Sequence, residues 1–156
     1  MGIRKRKPRF NNRYKGLEFR VCMVRENREP PEEITIRGPD DVYDLVKEEL
    51  AHADREVFLS ILLTVKNMVI GVETVSIGAI NSCFVAAREI FKGAMLANAV
   101  AIILCHNHPS GGLAPSDEDI RFTEKITKAG ELMGIRLMDH LIVSHQGYRS
   151  ISHKQS

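Results

Sequence analysis

Long apolar runs are missing from this chain of 156 residues. No uncharged apolar stretch reaches the ~18 residues of a membrane-crossing helix, so none of it is expected to span a bilayer. Phe10-Asn11-Asn12-Arg13-Tyr14-Lys15 stands where a secretory signal would need an apolar segment, which argues against such a leader. Cysteine is scarce: Cys22, Cys83 and Cys105 are an odd number without paired spacing. A disulfide framework is therefore not expected, and a reducing, cytoplasmic setting is. No internal repeat is present, and no low-complexity tract beyond a basic arm.

What is present suits one globular domain. Apolar residues make up 44% and charged residues 27%, an ordinary balance. A chain of this length buries roughly 68 to 70% of its unfolded surface, so no metal is needed merely to hold it together. The net charge of +2 is unevenly spread: eight of 22 basic but one of 20 acidic residues lie in the first twenty, leaving 14 against 19. Residues 1–16 read as a basic, flexible arm, 17–54 as a strand and helix extension, and 55–156 as the main domain. The basic segment, residues 1–20, suits DNA or another polyanion, or is a solvated terminus.

Leu17 to Arg25 alternates like a strand, and Asn27 to Pro31 is turn-like. From Pro39, apolar residues recur at helical spacing, with Asp40 and Asp41 suited to a first turn. Glu56 to Val65 and Met68 to Ile77 read as a strand pair joined at Lys66-Asn67. Ser82 can cap a helix running to about Asn98. Ala99 to Cys105 reads as a strand buried on both faces, Asp117 to Met133 as a helix stopped by Gly134, and Ile135 to Ser144 and Tyr148 to Ile151 as strands. This alternation points to helices around a mixed sheet, an α/β (α+β) sandwich.

His106-Asn107-His108 follows the buried strand, with Ser116 and Asp119 on the loop and helix beyond. Extended backbone sends residues i and i+2 to one side, so both imidazoles can face one ion. Burying two imidazoles without partners is costly, and zinc is a natural partner. Two histidines and a carboxylate are the three ligands of a catalytic zinc site with an open fourth position. Ser116-x-x-Asp119 is equally a helix capping box, the better reading of that pair taken alone; a carboxylate with two oxygens can do both. Cys105 reads as a small core residue, and His52, His145 and His153 as surface residues.

The spacing His-x-His-x7-Ser-x2-Asp resembles the JAMM (MPN-plus) metalloprotease motif. The longer string HNHPSGGLAPSDEDI is similar to the RadC-like branch of that superfamily, as are REVFLSILLTVKN, SIGAINSCFVAAREIFKGAM and LMDHLIVS, from about Arg55 to Ile151. The resemblance implies a JAMM/MPN, cytidine-deaminase-like fold over 55–156. It also implies one Zn2+ per chain on His106, His108 and Asp119. Glu56 then takes the place of the family's general base, on the strand face shared with Phe58, Ser60 and Leu62, and Ser116 that of the oxyanion donor. The implied activity is hydrolysis of a peptide or isopeptide bond in a peptide or protein conjugate. The alternative is a DNA-repair-associated accessory role, weakened because these residues contain no helix-hairpin-helix region of the kind expected of longer members. The chain reads Ala87-Arg88-Glu89 and Gly78-Ala79 where the branch usually has Pro-Arg-Glu and Gly-Thr, changes that bear on the cleft wall. Arg88 and Glu89 are expected to form a surface pair, and Asp139-His140 a structural hydrogen bond.

Overall fold

The structure, a computed structural model, describes residues 21, 22, 24, 33–78 and 85–152. Its elements are α1 (Pro39–Leu50), β1 (Val57–Leu63), β2 (Val69–Ile77), α2 (Ala87–Leu96), β3 (Ala101–Asn107), α3 (Asp117–Met133), β4 (Arg136–Ser144) and β5 (Gly147–Ser150). They form a five-stranded sheet in the order β2-β1-β3-β4-β5. Only β3 and β4 run parallel among these strands, joined by α3; the other pairs are antiparallel. The mixed sheet flanked by helices is the α+β architecture expected from the alternation. Among the described residues no helix is long and apolar enough to cross a membrane.

All seven residues of β1 and all seven of β3 are buried, as central strands covered on both faces must be. Alternation then sends odd-numbered residues one way and even-numbered ones the other. Leu59, Ile61, Leu63, Ile103 and Cys105 pack against Val42, Val46 and Leu50 of α1. Phe58, Leu62, Ile102 and Leu104 pack against Ile90, Phe91 and Ala94 of α2 and Ile126 of α3. The turn between β1 and β2 is fixed locally: the Thr64 hydroxyl accepts from the Lys66 and Met68 N–H groups, and Asn67 sits at φ 58°, a left-handed conformation asparagine tolerates.

The helices start where their polar side chains allow. Asp41 accepts from the Arg37 and Gly38 N–H groups at 2.7 and 3.2 Å, so the first turn of α1 is capped from within. Gly134, at φ 68°, ends α3 in the left-handed turn only glycine enters freely. Gly130 lets α3 lie close to the start of β4, since a Cβ there would strike the Ile135 carbonyl oxygen.

Two boundaries differ from expectation. Helix α2 begins at Ala87, not after Ser82; Ala86 is extended, with ψ 145°, and Ser82 lies outside the described residues. The helix starts where Ile90, Phe91 and Ala94 have a surface to bury, and spacing alone cannot tell an extended approach from a first turn. Strand β3 runs two residues later than read, so His106 and Asn107 belong to the strand itself. The basic arm, the Asn27–Pro31 turn, Cys83 and His153 fall outside the described residues, as does most of Leu17–Arg25, of which Val21, Cys22 and Val24 are in no strand.

Candidate metal centre

The end of β3 and the start of α3 meet on the α2/α3 face of the sheet. His106, on β3, is fully buried, and Phe58 from the neighbouring strand lies parallel to its ring, centroids 5.5 Å apart. His108 follows the strand. The loop after it turns sharply at Gly111, φ 76°, whose N–H donates to the His108 carbonyl at 2.8 Å. The reversal brings the first turn of α3 back toward the imidazoles. Asp119, 4% exposed, faces them with both oxygens: Oδ1 is 3.4 Å from His106 Nε2 and Oδ2 is 3.4 Å from His108 Nε2. The two Nε2 atoms are 3.1 Å apart.

The two histidine–carboxylate separations match a metal's needs, and the 3.1 Å between the imidazoles is slightly shorter. Bonds of about 2.0 to 2.2 Å at tetrahedral angles place neighbouring donors roughly 3.3 to 3.5 Å apart. Among the described residues, His106, His108 and Asp119 are the group able to hold a metal ion. Asp119 also caps α3, as its spacing from Ser116 suggested, while its Oδ1 faces His106. Its Oδ2 accepts from the Ser116 N–H and hydroxyl at 2.8 and 2.7 Å, while the hydroxyl accepts from the Asp119 N–H at 3.1 Å. Burial alone would raise the Asp119 carboxyl; hydrogen bonds from His108 and Ser116 outweigh it and hold it well below the usual carboxylate range.

Proton positions follow from the partners. His108 Nδ1 is 3.1 Å from the Gly112 carbonyl, which can only accept, so the proton is on Nδ1 and Nε2 faces the cluster. The hydrogen bond with Asp119 raises the His108 pKa against the effect of burial. Burial pushes that of His106 down to about 4, despite Asp119. With its proton on Nδ1, a neutral His106 would aim its Nε2 lone pair at that of a neutral His108 across 3.1 Å, an arrangement that calls for a cation, whether a proton or a metal, between them.

Glu56 stands at the rim, one residue before β1. Burial first, then the charge of Asp119, raises its pKa, with His108 opposing; the carboxylate thus lies within the electrostatic reach of the cluster. Burial raises the pKa of Glu73, with Lys92 opposing, whereas the hydrogen bond from Lys92 lowers that of Glu89. Arg88, Glu89 and Lys92 form an exposed set of ion pairs on α2. Cys105 is buried on the opposite, α1 face of the sheet, where burial raises its thiol pKa. His52 and His145 are exposed.

The profile of the RadC-like JAB domain matches residues 36–156. The chain belongs to this RadC-like JAB domain family. Among its relatives are UPF0758 proteins of Desulforamulus reducens, 47% identical over 78% of this chain and 53% of theirs, and Desulforudis audaxviator, 45% identical over 75% and 51%. One from Clostridium kluyveri is 42% identical over 94% of this chain and 58% of its own length. The chain thus spans about half the length of the curated relatives it matches.

Within this RadC-like JAB domain, sequence reading passed over Asn107 and Thr123. Asn107 is 2% exposed and turns to the α1 side: its Oδ1 accepts from the Val57 N–H at 2.8 Å, and its Nδ2 donates to the Arg55 and Ala53 carbonyls at 3.0 and 3.4 Å. Thr123, one turn beyond Asp119, contacts His140 behind His106. A polar residue between two candidate ligands, and a threonine i+4 from a third, were the available signals.

Proposed function

We propose that the chain is a zinc-dependent hydrolase of JAMM type, cleaving a peptide or isopeptide bond. The observation that carries this reading is the convergence of His106 Nε2 and His108 Nε2, 3.1 Å apart, on the Asp119 carboxylate, each 3.4 Å from one of its two oxygens. Zinc held there would supply Lewis acidity and lower the pKa of a water toward about 7. Glu56 takes the proton from the attacking water and hands it to the departing amine, a task its raised pKa favours. Ser116, whose hydroxyl rests on Asp119, has only to rotate away to donate to an oxyanion. Phe58 and Phe122 keep bulk water from the inner side of His106 and His140.

The test pairs metal content with turnover on fluorogenic peptides and on isopeptide-linked conjugates of a ubiquitin-like protein. The wild type is expected to hold about one zinc and cleave at least one substrate. His106→Ala and Asp119→Ala should lose most of the metal. Glu56→Gln should keep it while turnover falls about 10² to 10⁴-fold. Full zinc occupancy in both ligand variants, or undiminished cleavage by Glu56→Gln, would overturn the assignment.

A further inference from the structure

Behind His106 runs a chain of hydrogen bonds that ends in a side chain with no other task in the site. His106 Nδ1 is 2.9 Å from His140 Nε2, and His140 Nδ1 is 2.7 Å from Thr123 Oγ1. The Thr123 hydroxyl in turn lies 2.6 Å from the Asp119 main-chain carbonyl. His140 is 0% exposed and Thr123 7%. Two oxygens 2.6 Å apart need a proton between them, and a carbonyl has none, so the threonine donates. Its single hydrogen is then spent, and it can only accept from His140 Nδ1–H. A neutral His140 is left with a lone pair on Nε2, which accepts from His106 Nδ1–H. His106 Nε2 is thereby left bare, pointing at His108 and Asp119.

We propose that Thr123 and His140 are positioning residues: they lock His106 in its Nδ1-protonated form, so that its Nε2 lone pair always faces the metal site. The inference rests on the proposed zinc site only for the identity of the ion. A ligating histidine ordinarily donates its second N–H to a carboxylate, carbonyl or water; here the acceptor is a neutral imidazole. Direction therefore has to be imposed from further back, by a residue on the same helix as Asp119.

Removing the hydroxyl should reverse the relay. In Thr123→Val, His140 Nδ1–H has no acceptor, its proton moves to Nε2, and His106 Nδ1 must accept. The His106 proton then sits on Nε2, where the metal belongs. Long-range 1H–15N spectra of the metal-free protein should show His106 protonated on Nδ1 in the wild type and on Nε2 in Thr123→Val. Titration with zinc alone should show affinity weakened about 10 to 100-fold, and Thr123→Ser should restore both readouts. His140→Phe, if it folds, should weaken zinc similarly. A wild-type His106 protonated on Nε2 would overturn the proposal. So would an unchanged tautomer or zinc affinity in Thr123→Val, or failure of Thr123→Ser to rescue. A wild type that binds no zinc would instead remove the hydrolase reading, with the tautomer spectra still deciding this one.

Discussion

The carbonyl oxygen of the Asn107 side chain accepts a hydrogen bond from the backbone N–H of Val57, fifty residues earlier in the chain, at 2.8 Å. With the bond from Nδ2 to the Arg55 carbonyl, it grips the backbone on both sides of Glu56. The residue between the two histidines thus ties the backbone of Glu56 to the strand end that carries the imidazoles. Asn107→Ala leaves the buried Val57 N–H unpaired and should cost about 1 to 3 kcal/mol. Zinc content should persist, because both imidazoles keep their own partners, while turnover falls. Urea unfolding with metal analysis checks this; unchanged stability would show that the clamp carries no load.

Acid should destabilise the metal-free protein in a defined window. His106 is held down to about 4 and His140 well below its ordinary value, both by burial first. In the unfolded chain each protonates near 6.5. Between about 6.5 and 4 the unfolded state therefore binds more protons, and stability falls as pH falls. His108, raised by its bond with Asp119, works in the opposite sense: it stabilises below 6.5 and loses that contribution as pH rises through its folded value. Glu56 and Glu73, raised by burial, likewise oppose the loss, but the larger shifts of the two fully buried imidazoles leave a net loss on acidification. Melting temperatures in chelator from pH 7 to 4 should drop steeply, and a flat profile would contradict the burial of the pair.

Gly130→Ala should destabilise the protein and disturb the site from a distance. The added methyl meets the Ile135 carbonyl oxygen, a backbone atom that cannot swing aside, and also crowds Phe91. Overpacking of this kind costs about 1 to 3 kcal/mol. Because α3 carries both Asp119 and Thr123, its retreat from β4 should weaken zinc binding as well. Thermal melts and zinc titration of this variant would show both effects or exclude the coupling.

The eight basic residues among the first twenty set a separate expectation. If they serve a polyanion, duplex DNA binding should weaken steeply with salt and disappear on deletion of residues 1–16, with hydrolysis unaffected. Equal affinity with and without the segment, measured by fluorescence anisotropy, would leave it a solvated terminus.

The histidine spacing told which residues meet because His106 and His108 lie on one strand end and Asp119 on the next helix, so local geometry nearly suffices. Alternation also grouped Phe58, Ser60 and Leu62 on one face of their strand, and Phe58 and Leu62 do pack in one cluster. Asn107 and Thr123 were illegible for the opposite reason: their partners lie 50 and 17 residues away, and only the strand order brings them together. The onset of α2 was misread because Val85 packs against the core without being helical.

Between Ile102 and Ile103 the pairing with β4 skips Met138, so that Leu137 and Asp139 face consecutive residues of β3. Paired without that bulge, the same residues would alternate regularly and turn the His140 imidazole to the α1 side, away from His106. A relative one residue shorter here would need no bulge, because regular alternation over Leu137-Asp139-His140 brings the imidazole to the same side. A relative of the same length keeps the arrangement only if its strand bulges as this one does, so whether a homologue inherits it is a question of strand pairing as well as of residue identity.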